Sequence, residues 1–323
     1  DISDNYIPGG YDWIQDDNDP YDDNGHGSWV SGVIAARKNN DIGIAGIADV
    51  SIMAEKVLNM QGAGTVSDLI QGIIHAADSG ADIISLSLGT SSYSQALEDA
   101  VDYAHDKGCL LLAAAGNRGK NDPHYPGSFE NVIAVTATYG EPDDSIAPYS
   151  NYGEWVDLSA PGGWDANGDH NPATGEYWIL SISSEPDTYM YGTGTSGAVP
   201  HISGIAALCL SKYPYLTNEE LKGILIESSE DKGTIGKDYF YGYGRVNAEQ
   251  ALLMTPSQSV GGEATIIESV NEKMENAHST SLITFGAILT TIMVGILSQV
   301  LTNNINGKKI QLYKRAYSHI RGK

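Results

Sequence analysis

The sequence predicts an α/β fold with three layers, α/β/α, built on a mainly parallel sheet and followed by a single C-terminal transmembrane helix. Strand and helix patterns alternate between residues 50 and 115, which is typical of parallel sheets with helices on both faces. The chain has 323 residues, of which 41% are apolar, so it can bury a large core. A long uncharged run at 281–301 predicts the membrane span.

The alternation begins with a strand predicted at Val50–Leu58. The next segment, Ser67–Ser79, predicts an amphipathic helix that Gly80 ends. Its apolar side chains recur at helical spacing and share one face: Leu69, Ile70, Ile73, Ile74 and Ala77.

The same pattern then repeats. Ala81–Leu88 is a predicted buried strand, and Cys109–Ala115 is the next one. Between them, Ser94 caps a predicted helix that Gly108 ends. Two strands joined through a helix indicate parallel pairing.

The charge is distributed unevenly along the chain. All 41 acidic residues lie at or before Glu275, whereas six of the 18 basic residues follow Leu301. Because an acidic body repels phosphate, the sequence argues against a nucleic-acid partner.

The uncharged run Ser281–Leu301 contains 21 residues, and as a helix it would rise about 31 Å, enough to cross a hydrocarbon core. A buried C-terminal helix is the alternative. Because the basic cluster follows the run, we expect the tail in the cytoplasm and the acidic body outside. The predicted organisation of this single-pass membrane protein is a body at 1–254, a polar spacer at 255–280, the span at 281–301 and a basic tail at 302–323.

Polar residues that could carry chemistry follow predicted strands or precede predicted helices. Asn117 follows the second buried strand through a glycine. Ser196 precedes an apolar helix running to about Tyr213, and His26 lies between glycines ahead of a helix at Trp29–Ala36. Sites in parallel sheets lie beyond the carboxyl ends of strands, so these residues occupy positions where a site is expected. Each one alone could instead be a helix cap or a turn residue.

Seven segments together resemble the subtilisin-like serine proteases (subtilases, peptidase family S8). The resemblance covers Asp1 to about Leu253. It implies a subtilisin-like fold and a serine endopeptidase that hydrolyses polypeptide substrates through an acyl-enzyme intermediate. The segments occur in the family's order: Asn24–Gly32 (NGHGSWVSG), Ser85–Gly89 (SLSLG), Ala113–Asn117 (AAAGN), Tyr149–Gly153 (YSNYG), Asp157–Gly162 (DLSAPG), Gly194–His201 (GTSGAVPH) and Gly242–Asn247 (GYGRVN).

By position in these motifs, Ser196 resembles the nucleophile, His26 the general base and Asn117 the side-chain donor of the oxyanion hole. The residue types suit these roles. A serine hydroxyl attacks a peptide carbonyl when an imidazole accepts its proton, and donors must stabilise the oxyanion that forms.

The resemblance also implies that the substrate binds as an extra strand between two edges of the protein. Because the residues around the pocket for the residue before the cleaved bond are small, we expect a preference for large apolar or aromatic side chains there. The implied set is Ser87, Leu88 and Gly89 on one edge, Gly62, Ala63 and Gly64 on the other, and Ala114, Ala115 and Gly116 as the pocket wall.

The family's catalytic aspartate, in an Asp-Ser/Thr-Gly segment, has no match before His26. Asp78-Ser79-Gly80 matches the tripeptide but follows His26 at a predicted helix end. We therefore expect that aspartate and its strand upstream of Asp1, in an N-terminally truncated domain. The alternative is a catalytically weak or inactive membrane-anchored binding protein that keeps the fold.

Three motif positions depart from the family pattern. Gly197 stands where a methionine usually follows the nucleophile, and Ser28 and Trp29 stand where the histidine motif usually has threonine and a second histidine. None of these changes removes a group that the mechanism needs.

The resemblance further implies a structural Ca²⁺ ion. Lys38–Ile44 resembles a family calcium loop in which the side chain of Asn40 and backbone carbonyls bind the ion, with Asp1 as a further ligand. Oxygen-only ligands suit Ca²⁺. An acidic calcium-binding surface module is a third interpretation of the whole chain.

Overall fold

The computed structural model describes residues 1–140, 144–165, 177–185 and 188–254, all within one unit, Asp1–Pro256. The predicted spacer, membrane span and basic tail lie outside the described residues. Within the described ranges, no helix combines the length and the hydropathy needed to cross a membrane.

Six helices and eight strands make up the described part of the chain. In order they are β1 (Tyr11–Asp12), α1 (His26–Ala35), β2 (Glu55–Lys56), α2 (Val66–Asp78), β3 (Ile83–Leu86), α3 (Gln95–Asp106), β4 (Leu110–Ala114), β5 (Val132–Thr138), β6 (Leu158–Pro161), β7 (Ile179–Ile182), β8 (Tyr189–Gly192), α4 (Thr195–Lys212), α5 (Asn218–Glu227) and α6 (Ala248–Leu253).

A parallel sheet with the strand order β3-β4-β5-β6 forms the centre of the fold. Alternate side chains of β4 point to opposite faces, as a strand requires. Leu111 packs with residues of α2 and α3, whereas Leu112 packs with residues of α4 and α5. Both leucines are buried, so the predicted three-layer arrangement is confirmed.

The helices begin and end where capping chemistry places them. At the start of α2, Thr65 accepts a hydrogen bond from the Asp68 backbone N–H, and the Asp68 side chain reciprocates. Ser94 caps α3 in the predicted way. Gly80 and Gly108, which follow α2 and α3, have positive φ angles of 81° and 96°, which glycine adopts readily.

The predicted strand Val50–Leu58 is wrong for most of its length, because only Glu55–Lys56 forms a strand. On one side this segment hydrogen-bonds to residues 5–13, which are irregular apart from β1, through contacts such as Ile52 N–H to the Asn5 carbonyl at 2.7 Å. On its other side lies a cavity of about 830 Å³ that β3 also lines. A continuous ladder therefore cannot form along this segment.

Candidate active site

Ser196 lies in the first turn of α4, at the carboxyl end of the parallel sheet. Gly194 caps this helix with a φ of 143°, which a residue with a side chain rarely adopts. The Ser196 hydroxyl is half-buried and donates a hydrogen bond to the Ser87 carbonyl at 3.0 Å. The backbone N–H groups of the first helical turn favour negative charge close to this hydroxyl.

A second hydrogen bond runs in the opposite direction between the same two residues. Pro200 lies one helical turn after Ser196 and has no N–H, so the Ser196 carbonyl lacks its usual partner in the helix. The Ser87 hydroxyl donates to that carbonyl at 2.8 Å. The nucleophile candidate is thus fixed to the predicted substrate-binding edge by its backbone and its side chain.

Asn117 is oriented by the residue that precedes Ser196. Its Oδ1 accepts hydrogen bonds from the Thr195 N–H at 2.9 Å and from the Thr195 hydroxyl at 2.8 Å. The Thr195 hydroxyl also accepts a bond from the Gly116 N–H at 3.1 Å. With Oδ1 occupied, the amide directs Nδ2 away from Thr195, where it can donate to a ligand.

His26 is the first residue of α1, and its imidazole is half-buried. Burial lowers the pKa of His26 below its ordinary value of 6.5, and the negative charge of Asp22 opposes part of this shift. The imidazole is therefore neutral at neutral pH, which is the state that a general base requires.

Among the described residues, neither Ser196 nor any carboxylate hydrogen-bonds to the His26 imidazole. His26 does line a cavity of about 340 Å³ together with Ser87, which hydrogen-bonds to Ser196, so the imidazole and Ser87 share one site. Hydrogen bonds between catalytic groups are often long in unliganded enzymes and shorten when substrate binds. The expected aspartate upstream of Asp1 stays a prediction.

Trp29 accounts for the glycine at position 197, where the family's motif usually has methionine. It is 3% exposed, and its indole N–H donates to the Ile179 carbonyl at 3.0 Å. A Cβ at Gly197 would lie 2.8 Å from the indole, and a Cβ at Gly192 would lie 2.6 Å from it. The large side chain at 29 therefore needs glycine at 197, and the pair holds the starts of α1 and α4 together.

The predicted substrate-binding residues occupy different environments. Ser87 and Leu88 line the cavity beside His26. The loop that contains residues 62–64 is joined to the histidine segment because Asn24 Nδ2 donates to the Met60 carbonyl at 2.9 Å. Ala114 and Ala115 are buried, at 3% and 0% exposure. No contact with a substrate tests these assignments, and they stay predictions.

The two predicted calcium ligands are in direct contact. Asn40 Nδ2 donates to Asp1 Oδ1 at 2.8 Å, and the Ile44 N–H donates to Asp1 Oδ2 at 3.1 Å. Asn40 Oδ1 accepts from the Ile42 N–H at 3.1 Å. The described ranges contain no cluster of three or more His, Cys, Asp or Glu side chains that could hold a metal. A cation here would therefore need amide and carbonyl oxygens besides Asp1.

A family model described as Peptidase_S8, subtilase family, matches residues 2–244. The chain belongs to the subtilase family. Its subtilisin-like fold and its assignment to the serine endopeptidase class of hydrolases, both predicted from the motifs, are thereby confirmed.

Two relatives illustrate the similarity in sequence. The thermophilic serine proteinase of Bacillus sp. (strain AK1) is 43% identical over 244 residues, which are 75% of this chain and 56% of that protein. Thermitase of Thermoactinomyces vulgaris is 38% identical over 247 residues, which are 76% of this chain and 81% of thermitase. The chain thus matches little more than half of the first protein's length and most of the second's.

Two solved structures show the similarity in fold. A crystal structure of a lanthipeptide protease aligns with a TM-score of 0.69 and 28% identity, covering 79% of this chain and 83% of that one. Sphericase aligns with a TM-score of 0.68 and 32% identity, covering 76% of this chain and 86% of sphericase.

The motifs alone did not single out Asp22 and Thr195. Asp22 accepts backbone N–H bonds from Asn24, Gly25 and Ser28, at 3.1, 2.8 and 2.7 Å, and thereby caps the helix that begins at His26. Burial raises the pKa of Asp22, but these bonds outweigh burial and leave it below its ordinary value. An aspartate four residues before the histidine, ahead of a glycine that cannot cap with a side chain, was the available signal.

We predict that Asp22→Asn lowers the pKa of His26 further. The amide keeps an oxygen acceptor but loses the charge that stabilises the imidazolium. Titrating the His26 imidazole by NMR measures the shift directly, and the acid limb of kcat/KM should move to lower pH with it.

Asp23→Asn is the matched control, because the Asp23 carboxylate pairs with Lys56 at 3.0 Å. This substitution should leave the pKa of His26 unchanged. A higher His26 pKa in Asp22→Asn, or equal shifts in both variants, would show that Asp22 does not act on the imidazole through its charge.

Proposed function

We propose that this subtilase hydrolyses peptide bonds through an acyl-enzyme formed on Ser196, with His26 as the general base and Asn117 as an oxyanion-hole donor. The orientation of Asn117 carries the proposal. Thr195 occupies Oδ1 with two donors, so Nδ2 is directed outward beside the first turn that presents Ser196. A fixed donor close to a nucleophile is the arrangement that stabilises an oxyanion.

The reaction begins when the Ser196 hydroxyl exchanges its bond to the Ser87 carbonyl for one to His26. The oxygen attacks the peptide carbonyl as the imidazole takes the proton. Asn117 Nδ2 and the Ser196 N–H then stabilise the oxyanion. The imidazolium gives its proton to the leaving amine. Water then attacks the acyl carbonyl as His26 takes its proton, and the imidazolium returns a proton to Ser196 as the acyl group leaves.

The substrate is a polypeptide, which is consistent with the serine proteases among the relatives. We infer that it lies extended between residues 87–89 and residues 62–64, with backbone hydrogen bonds to both edges. Residues 114–116 would form one wall of the pocket for the residue before the cleaved bond. The Ser87–Ser196 hydrogen bonds support this placement, because they join the first edge directly to the nucleophile.

We infer that the predicted calcium loop binds Ca²⁺ after the Asn40 amide turns, because its Nδ2 and not its Oδ1 faces Asp1. The Asp1 carboxylate and the Asn40 side chain face each other, and Asn39, Asp41 and Gly43 have positive φ angles of 59°, 58° and 50° that curl the backbone between them. We infer that Asp1, Asn40 and loop carbonyls would hold the ion. Bound Ca²⁺ would supply a stabilising crosslink between the first residue and this loop.

We also infer that residues 281–301 anchor the protein in a membrane, with the catalytic domain outside and the tail at 302–323 in the cytoplasm. The uncharged length of this run and the basic residues after it support this inference.

The alternative function is a membrane-anchored binding protein that has the subtilase fold with little or no activity. One observation favours it, since no carboxylate of the described residues hydrogen-bonds to His26. In subtilisin, another member of the family, loss of the catalytic aspartate alone reduces turnover by about 3 × 10⁴.

The first prediction from this function is that a fluorophosphonate labels Ser196, as read by mass spectrometry of the modified peptide. Labelling should vanish in Ser196→Ala and fall steeply in His26→Ala. A folded chain that takes no label favours the binding protein instead.

On peptide substrates, Asn117→Ala should lower kcat by about 10²–10³, a range measured in subtilisin, with little change in KM. Asn121→Ala, an exposed asparagine in the same loop, is the control. A change in KM alone would contradict the oxyanion role.

The second prediction concerns the metal. Removing Ca²⁺ with a chelator should lower the thermal midpoint, and added CaCl₂ should restore it. A ligand at 100 times its Kd stabilises the fold by about 2.7 kcal/mol. The Ca²⁺ dependence should disappear in Asn40→Ala and persist in Asn18→Ala, which alters an exposed residue of another loop. A thermal midpoint that does not change with Ca²⁺ would contradict the proposed calcium site.

The third prediction concerns the membrane. Protease added to intact cells should digest the body and spare an epitope placed after Lys323, while deletion of residues 281–301 should release the body into the medium. Digestion of the epitope in intact cells would reverse the orientation, and a full-length protein in the medium would exclude the anchor.

A further inference from the structure

The imidazole of His124 lies between the two segments that follow β3 and β4. A Cβ at Gly89 would be 2.6 Å from His124 Nε2, and a Cβ at Gly116 would be 3.0 Å from His124 Cγ. Gly89 ends one proposed substrate-binding edge, and Gly116 precedes the oxyanion donor Asn117. The ring therefore stands where these two segments face each other, and both glycines are needed to admit it.

The backbone around His124 holds the ring in this position. The His124 N–H donates to Ser128 Oγ at 2.9 Å, and the His124 carbonyl accepts from the Ser128 N–H at 2.9 Å. The next residue, Tyr125, exchanges two backbone hydrogen bonds of 2.8 Å with Thr90. Because Thr90 follows Gly89, the histidine loop is joined directly to the substrate-binding edge.

The polar atoms of this imidazole are not used within the described structure. His124 Nδ1 is buried and has no partner among the described residues. The ring has no hydrogen bond through Nε2 in those residues either. A half-buried imidazole with free hydrogen-bonding capacity, set between two glycines, is suited to meet a polar group of a ligand.

The positive charge of Arg118 acts on His124, although the whole chain has a net charge of −23. Burial lowers the pKa of His124, and the positive charge of Arg118 lowers it further. Arg118 is exposed and follows Asn117 directly. A carboxylate brought to His124 would meet an N–H donor and this guanidinium charge, whereas a lysine or arginine side chain would be repelled.

We propose that His124 is a specificity-determining residue, closing the pocket for the residue before the cleaved bond and selecting side chains that end in a hydrogen-bond acceptor, glutamate foremost. This inference rests on the proposed function, because it needs residues 87–89 and 114–116 to bind substrate. It replaces the preference for large apolar or aromatic residues that the small wall residues suggested. The imidazole occupies space between Gly89 and Gly116 that an apolar ring of the substrate would need.

The test measures binding and does not depend on turnover. Peptides of one sequence that end in Glu, Gln, Leu or Lys, as cleavage products would, are titrated into the Ser196→Ala protein. A hydrogen bond to a charged group contributes about 1.5–3 kcal/mol, so the Glu peptide should bind about tenfold or more tightly than the Leu peptide. The Lys peptide should bind most weakly.

Two further variants assign the preference to the proposed residues. In a Ser196→Ala background, His124→Phe keeps a planar ring and removes the polar atoms, so the Glu peptide should lose its advantage over Leu. Arg118→Gln changes an exposed residue and should reduce the difference in affinity between the Glu peptide and the Gln peptide. If His124→Phe does not fold, as thermal melting would show, Arg118→Gln decides.

Each other outcome overturns the inference: a preference for Leu in the starting protein, a Glu preference that both variants leave unchanged, or no binding by any peptide. Fluorophosphonate labelling of the unsubstituted protein is measured in parallel. Labelling with an apolar preference leaves the proposed function standing and removes only the role of His124. If the protein takes no label but still prefers the Glu peptide, the proposed acyl-enzyme function is wrong, and His124 selects the side chain of a peptide that is bound without being cleaved.

Discussion

The packing of Trp29 against Gly192 and Gly197 is the contact on which the geometry of the site depends. Trp29 belongs to the helix that begins at His26, and Gly197 directly follows Ser196. Replacing a buried tryptophan by alanine typically costs about 3–5 kcal/mol. This single contact therefore stabilises the fold and also sets how far apart the two helices begin.

Around that contact, the carboxyl ends of the parallel strands supply the polar groups. The segment after β3 provides Ser87, and the segment after β4 provides Gly116 and Asn117. Each is hydrogen-bonded to residue 195 or 196. The catalytic candidates are thus positioned by neighbouring main chain and small side chains, and the sheet, buried on both faces, keeps those anchors still.

Helical periodicity and caps predicted α2 and α3 from the sequence, and the ordered motifs named Ser196, His26 and Asn117 as the catalytic candidates. The shortened strand at 55–56 could not be predicted, because strand formation depends on a partner that is distant in sequence. In the sequence, Trp29 and Gly197 were two separate departures from the family's motifs, and only the structure shows that the indole fits against the glycine. The place of His124 also required the fold, because nothing near it in sequence indicates Gly89.

The absence of an N–H at Pro200 has a consequence for which sequences this fold can accept. Pro200 leaves the Ser196 carbonyl for Ser87 to bind, so the two positions are linked although one lies in α4 and the other after β3. A residue with an N–H at 200 would give that carbonyl a helical partner and free the Ser87 hydroxyl. Across related chains, positions 87 and 200 should therefore covary, so that serine at one is retained chiefly where proline occupies the other.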